Sequence, residues 1–257
     1  MATNQQAIAL YTIVRRELVR MFRISSQVFL PPIIMTALYF LIFGSLIGSR
    51  IGYIDGVSYP VFIAPGLIMM SVISNSYANV SSSLYSVRFQ RSIDEILVSP
   101  MHDGLLLFGY VLGGVARGLI VAILVYIVSS FFLEIQFSHI PMTLLVVLLV
   151  SAVFSLAGFT NAMVARNFDD IMLIPTFILT PLTYLGGVFY TTNMLPPFWQ
   201  KISHLNPILY MVNALRNAMI NICEVDMLTS VFIICIMLVL LTALNMILLK
   251  KGIGLRE

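Results

Sequence analysis

Residues 228–249 contain no charged side chain and are enough to cross the hydrocarbon core of a bilayer as a helix. In lipid such a run must satisfy its backbone polar groups internally, which a helix does. Comparable runs at 27–47, 59–84, 115–133, 142–164 and 171–189 predict six spans in one all-α integral membrane domain covering 1–257. Composition agrees, with 60% of residues hydrophobic and 10% charged. A soluble domain carries about 25% charge. The N-terminal residues show no basic region followed by an apolar core and a cleavage site, so no cleaved signal peptide is expected. Cys223 and Cys235 are too few for a disulfide framework and lack metal-ligand spacing.

Two segments outside the spans are amphipathic. Residues 4–24 place Ala7, Leu10, Val14, Leu18 and Met21 on one face and Arg16, Arg20 and Arg23 on another. That pattern predicts a helix in the membrane interface, basic side toward anionic headgroups, with a soluble docking helix as the alternative. Glu17 sits close to the apolar face, and the sequence offers no account of it. Residues 86–100, S-V-R-F-Q-R-S-I-D-E-I-L-V-S-P, form the most charged short segment between two apolar runs. Phe89, Ile93, Ile96 and Leu97 share one helical face, and Arg88, Arg91 and Glu95 lie opposite, with Arg91 and Glu95 spaced to pair. Pro100 ends the element. Such a helix is too polar for lipid and too apolar to stand free, so a soluble partner is expected to dock on it.

The second half of the second span is polar, with Ser71, Ser74, Asn75, Ser76, Asn79, Ser81, Ser82 and Ser83. These residues suit close helix packing or the lining of a passage. Arg117 is expected near the edge of the third span, snorkelling toward the interface. Pro175 and Pro181 interrupt the fifth span. The connection 191–226 contains an apolar run, 208–220, too short to cross, which predicts a re-entrant or interfacial segment within 195–220. Tyr190, Trp199 and Tyr210 fit an interfacial aromatic belt.

Charge fixes the expected orientation. Arg15, Arg16, Arg20, Arg23, Arg88, Arg91, Arg117, Arg166, Lys250, Lys251 and Arg256 fall on one side, and only Arg50, Lys201 and Arg216 on the other. The excess predicts cytoplasmic termini and a cytoplasmic 86–100 helix.

Several chemistries are missing. No G-x-x-x-x-G-K-[ST] loop, H-E-x-x-H helix or G-x-S-x-G elbow occurs, and His102, His139 and His204 are scattered over loops. Asp169 and Asp170, beside Arg166 at a span end, read as a helix cap. No acidic residue stands at a predicted span centre, which argues against an ion-coupled carrier. No catalytic residue, metal or cofactor is expected. A membrane chain with a docking helix and no phosphate-binding loop implies an external motor. An intramembrane enzyme acting on lipid or peptide, and a passive channel or scaffold, are the alternatives.

The stretches F-I-A-P-G-L-I-M-M-S-V-I-S-N-S-Y-A-N-V, F-Q-R-S-I-D-E-I-L-V-S-P and P-T-F-I-L-T-P-L-T-Y-L-G-G-V-F-Y-T-T-N-M-L-P-P-F-W-Q-K-I-S-H-L-N-P resemble the permease subunits of ABC-2 type transporters. The resemblance covers nearly the whole chain and is closest to the bacterial YadH-like inner-membrane permeases. It implies an exporter in the bacterial inner membrane, with six membrane helices per subunit. Two copies would form the pathway, each docked on a separate ATP-binding-cassette ATPase subunit. It assigns the coupling role to 86–100, here Arg88, Phe89, Arg91, Ile93, Asp94, Glu95 and Leu97. It places the pathway at the dimer interface, lined by the second and fifth helices, with Asn75, Asn79, Thr180 and Tyr184 as candidates to face it. Interhelical hydrogen bonding is the alternative role for those four. Membrane lipids are expected partners and nucleic acid is not.

Overall fold

A computed structural model of the chain describes residues 2–90, 101–133, 138–222 and 224–253. Helix α1 (Ala2–Arg23) precedes α2 (Ser25–Tyr39), which runs on through a π-helical stretch (Phe40–Ile47) into a single turn, α3 (Gly48–Ile51). A short hairpin follows, β1 (Tyr53–Ile54) with β2 (Val57–Ser58), turning at Asp55 and Gly56 with φ of 48° and 84°. An Asp-Gly pair suits this turn because both central residues need positive φ. Then come α4 (Tyr59–Phe89), α5 (Asp103–Phe132) and α6 (Ile140–Val164). The next crossing is composite: α7 (Phe168–Ile174), a wide π turn (Pro175–Leu179) and α8 (Thr180–Leu185). Pro175 and Pro181 cannot donate to the helical ladder, and the wider turn accommodates the lost bonds. Helices α9 (Pro197–Leu205) and α10 (Pro207–Ile220) lead to α11 (Met227–Lys251).

Six helices among the described residues are long and apolar enough to cross a membrane: Ser25–Gly44, Tyr59–Phe89, Asp103–Phe132, Ile140–Val164, Phe168–Leu185 and Met227–Lys251. Three boundaries differ from the sequence expectation in ways that matter. Helix α4 continues unbroken past residue 84 to Phe89, so Ser86, Val87, Arg88 and Phe89 form its last turn. Helix α5 starts at Asp103 rather than near Val115, so Arg117 stands midway along it instead of at an edge. Helix α2 starts at Ser25 rather than at 27, and Pro31 and Pro32 lie inside it.

Helix α4 is the central element and packs against α5, α6 and α10. Lipid tails are as apolar as leucine, so the helices are held by close packing rather than by hydrophobic exclusion. The sequence Gly114-Val115-Ala116-Arg117-Gly118 supplies the close approach. A Cβ at Gly118 would run into the hydroxyls of Ser76 on α4 and Ser151 on α6. One buried apolar cluster includes Phe62, Leu67, Val72, Val150, Met211 and Leu215. A second, at the other end of the bundle, gathers Ile13, Leu84, Tyr85, Phe159, Ile171 and Leu249. It therefore joins α1 to the C-terminal ends of α4, α6 and α11.

Candidate functional site

The polar residues of α4 serve two different sets of partners. Asn75 Oδ1 accepts from Arg117 Nε at 3.2 Å and from Arg117 Nη2 at 2.9 Å. Asn75 Nδ2 donates to the Ser71 carbonyl at 3.0 Å, which fixes the carboxamide with its oxygen toward the arginine. At 1.5 Å rise per residue, Arg117 is about 21 Å from either end of α5, so its charge stands midway along a helix long and apolar enough to cross the membrane. Placing a lone cation there costs at least ~2.5 kcal/mol, which is why such residues face protein or a polar cavity rather than lipid.

Arg117 borders two adjoining cavities of about 320 and 450 Å³. The smaller is walled by α2 and α4, including Pro31, Thr36, Tyr39, Ser71 and Asn75. The larger reaches the composite crossing through Ile171, Pro175, Leu179 and Thr180. Both share Gln27, Ser74, Ala78 and Arg117, so together they form one cleft with the guanidinium where they meet. Thr180 lines the larger cavity, its hydroxyl donating to the Pro175 carbonyl at 2.9 Å. Tyr184 is partly exposed, and its hydroxyl lies 3.2 Å from that of Tyr39, which lines the smaller cavity. Asn75, Thr180 and Tyr184 are thus grouped around the cleft.

Asn79, one turn further along α4, serves a different partner. It is buried, and with Ser83 it holds Glu17 of α1. Ser83 Oγ donates to Glu17 Oε1 at 2.5 Å, and Asn79 Nδ2 approaches Glu17 Oε2 at 3.4 Å. Arg20 Nη2 lies 3.0 Å from Glu17 Oε2 and also donates to Asn79 Oδ1 and its carbonyl, each at 2.9 Å. Arg16 Nη2 donates to the Tyr110 hydroxyl at 2.6 Å. Two of the arginines expected to face headgroups therefore turn inward. Ile8, Tyr11, Val19 and Phe22 are exposed instead. Glu17 is the residue the sequence left unexplained: it is the buried anchor that ties α1 to α4, with its Cβ against Gly113 of α5.

At the end of the bundle where α1 packs, α4 reaches the turn between α6 and α7. Arg88 Nη1 donates to the carbonyls of Ala162, Met163 and Ala165, capping the C-terminus of α6. Cations there favour the helix dipole and satisfy carbonyls with no intrahelical partner. Phe89 is 67% exposed and sits edge-on to Phe168 of α7 at 5.2 Å, with Tyr85 completing the cluster. The side chains expected to continue this surface, Arg91, Ile93, Asp94, Glu95 and Leu97, lie outside the described residues.

The opposite end carries a second buried charge. Arg216 of α10, placed by the charge count on the outer side within the re-entrant or interfacial run, is 1% exposed and is among the largest fully buried side chains. Its guanidinium lies 3.9 Å from the Phe62 ring centroid, donates to the Gly187 carbonyl at 2.6 Å, and is 3.8 Å from Glu224. Burial pulls this arginine down to about 10 while Glu224 pulls it up, so it stays charged at neutral pH. Asn206 caps α10 by accepting from the Ile208 amide at 3.0 Å and donates to the Leu182 carbonyl at 2.6 Å. Helix α10, a 14-residue element too short to cross, is thereby fixed against the composite crossing.

The arrangement is a six-crossing bundle with a polar cleft, a buried anchor for its N-terminal helix, and an aromatic end surface. Residues 8–220 match the family model described as ABC-2 type transporter. The chain is 50% identical to the inner membrane transport permease YadH of Escherichia coli (strain K12) over 250 residues, 97% of this chain and 98% of that one. It is 24% identical to nodulation protein J of Sinorhizobium fredii (strain NBRC 101917 / NGR234) over 188 residues, 73% of this chain and 71% of that one. On this match the chain belongs to the ABC-2 type transporter family, as a membrane permease component.

Proposed function

We propose that two copies of this chain form the pathway of an exporter in the bacterial inner membrane, powered by a separate ATP-binding-cassette ATPase subunit. Membership of the family carries the reading, because ABC-2 permeases partner with an ATPase subunit. The location follows that of the permease YadH, half-identical over nearly the whole chain. The termini and the ATPase docking surface lie on the cytoplasmic side, in keeping with the charge asymmetry.

The docking surface consists of residues 86–100 and starts at the exposed Phe89–Phe168 pair. Arg88 supports it from beneath by locking α4 to α6, while Phe89, Ile93 and Leu97 provide an apolar plug and Arg91, Asp94 and Glu95 a polar rim. Substrate moves through the cleft bounded by α2, α4 and the composite crossing, past Asn75, Thr180 and Tyr184; Asn79 holds α1 at its edge. The test is co-purification of the ATPase subunit with Phe89→Asp, a change at an exposed position that the bundle tolerates. Loss of the ATPase with normal membrane insertion is expected. Retention at wild-type stoichiometry would remove the coupling role from this surface.

A further inference from the structure

Arg20, Arg117 and Arg216 have guanidinium groups drawn into the protein, and they are not treated alike. Arg20 is 3.0 Å from Glu17, and Arg216 is 3.8 Å from Glu224. Arg117 has no carboxylate within 4.0 Å among the described residues. Its described partner is the neutral oxygen of Asn75, reached by Nε and Nη2. Its Nη1 has no protein acceptor among the described residues. A cation that served packing alone would need a neutralising partner as the other two have, because a lone buried charge midway along a membrane-crossing helix is unfavourable. Instead this guanidinium borders both cavities, at the point where they join.

The surroundings define what would fit. Gln27, Ser74 and Thr180 add neutral hydrogen-bonding groups, while Met35, Met70 and Met172 are soft and apolar. We infer that Arg117 is an anion subsite within the cleft, taking the phosphate or carboxylate head of an amphipathic molecule whose apolar body lies along the cleft walls. Asn75 is a positioning residue: it holds two of the guanidinium donors and leaves Nη1 toward the cavity. A phosphate or carboxylate matches a guanidinium in charge and in fork geometry. The inference rests on the reading of the cleft as the transport pathway.

The test uses the full chain assembled with its ATPase subunit in phosphatidylcholine nanodiscs, with photoreactive dodecyl phosphate as the probe. Dodecyltrimethylammonium provides the same body with the opposite charge. The wild-type assembly is expected to prefer the phosphate by at least about tenfold, as one charge-assisted pair would give. Labelling should fall on peptides containing Asn75 or Arg117. Arg117→Gln should abolish the preference, and Arg117→Lys should keep part of it. Should Arg117→Gln not fold, the wild-type preference and the labelled peptides still decide the matter. Equal affinity for the two heads, labelling elsewhere, or a preference surviving Arg117→Gln overturns the subsite. Discs containing phosphatidylglycerol separate two sources of the anion: competition assigns the site to resident lipid, and its absence assigns it to cargo. Occupancy that ignores ATP turnover would overturn the pathway reading while leaving the anion subsite standing.

Discussion

Arg117 on α5 donates from two nitrogens to one carboxamide oxygen, that of Asn75 on α4, at 3.2 and 2.9 Å. The pair couples the central helix to its neighbour midway along α5. A neutral amide is a weaker counterpart to a guanidinium than a carboxylate, so the arginine keeps most of its field for whatever enters the cleft.

Asn75→Leu removes the acceptor and leaves two donors of Arg117 unsatisfied, at a cost of about 1–3 kcal/mol. The melting temperature of the purified chain should fall. The double variant Asn75→Leu with Arg117→Leu should recover most of the loss, because replacing both polar partners by apolar ones removes the unsatisfied group. A double variant as unstable as the single one would count against the pairing as the source of the effect.

Glu17 has a side chain of 0% exposure, held by Ser83, Asn79 and Arg20. Glu17→Ala leaves Arg20 without its carboxylate and should destabilise the docking of α1 by ~3–5 kcal/mol, as breaking a buried pair does. Trypsin cleavage at Arg15 and Arg23 reports the release, since both are exposed sites on α1 that a docked helix protects by its fold. Cleavage should rise sharply in Glu17→Ala and less in Glu17→Gln, which keeps a group able to meet Ser83 and Asn79. Unchanged cleavage in Glu17→Ala would mean that α1 is held by Ile13 and Met21 alone.

The crossings and the short segment before α11 were legible because length without charge is a direct physical demand of lipid. The depth of Arg117 was not. Gly113 and Gly114 fall just before the third span expected at 115–133, whereas they are buried contact points inside α5 that let Glu17 and Ser155 approach it. A glycine at a turn and a glycine under a neighbouring helix look the same in one sequence. Glu17 was visible as an anomaly on an apolar face, yet its partners, Ser83 and Asn79, are more than sixty residues away. Asn75, Asn79 and Ser83 follow one another at i, i+4 along one stripe of α4, and only the placement of α1 and α5 shows that Asn75 meets Arg117 while Asn79 and Ser83 meet Glu17. Arg88 reads in the sequence as part of the polar face of the 86–100 helix, and its carbonyl partners on α6 were not legible.

Gly118→Leu should destabilise the bundle by overpacking. The added side chain meets Ser76 and Ser151, on two different helices, and overpacking of this kind costs about 1–3 kcal/mol or more. Ile123, further along α5, is 53% exposed on the outer surface, so Ile123→Leu serves as a control and should be silent. Detergent-solubilised yield and melting temperature should fall together for Gly118→Leu only. Equal behaviour of the two variants would show that α4, α5 and α6 can separate at this level without penalty.

Arg216 offers the clearest test of what holds the short helix α10 in place. Its contacts are of three kinds: the Gly187 carbonyl at 2.6 Å, the Phe62 ring at 3.9 Å, and the Glu224 carboxylate at 3.8 Å, beyond hydrogen-bond reach. Arg216→Met removes all three and leaves Glu224 with Thr192 as its hydrogen-bonding partner. A loss of ~3–5 kcal/mol is expected, the range for removing one member of a buried pair. Glu224→Gln should cost less, since the Thr192 bonds survive and the guanidinium keeps its carbonyl and ring. Arg216→Lys should fall between, because an ammonium keeps the charge but lacks the planar fork that serves Gly187 and Phe62 together. A double-mutant cycle between Arg216→Met and Glu224→Gln, read from melting curves, isolates the ion-pair part. A coupling energy near zero with a large effect of Arg216→Met alone would assign the anchoring to Gly187 and Phe62, whereas a large coupling would assign it to the charge pair.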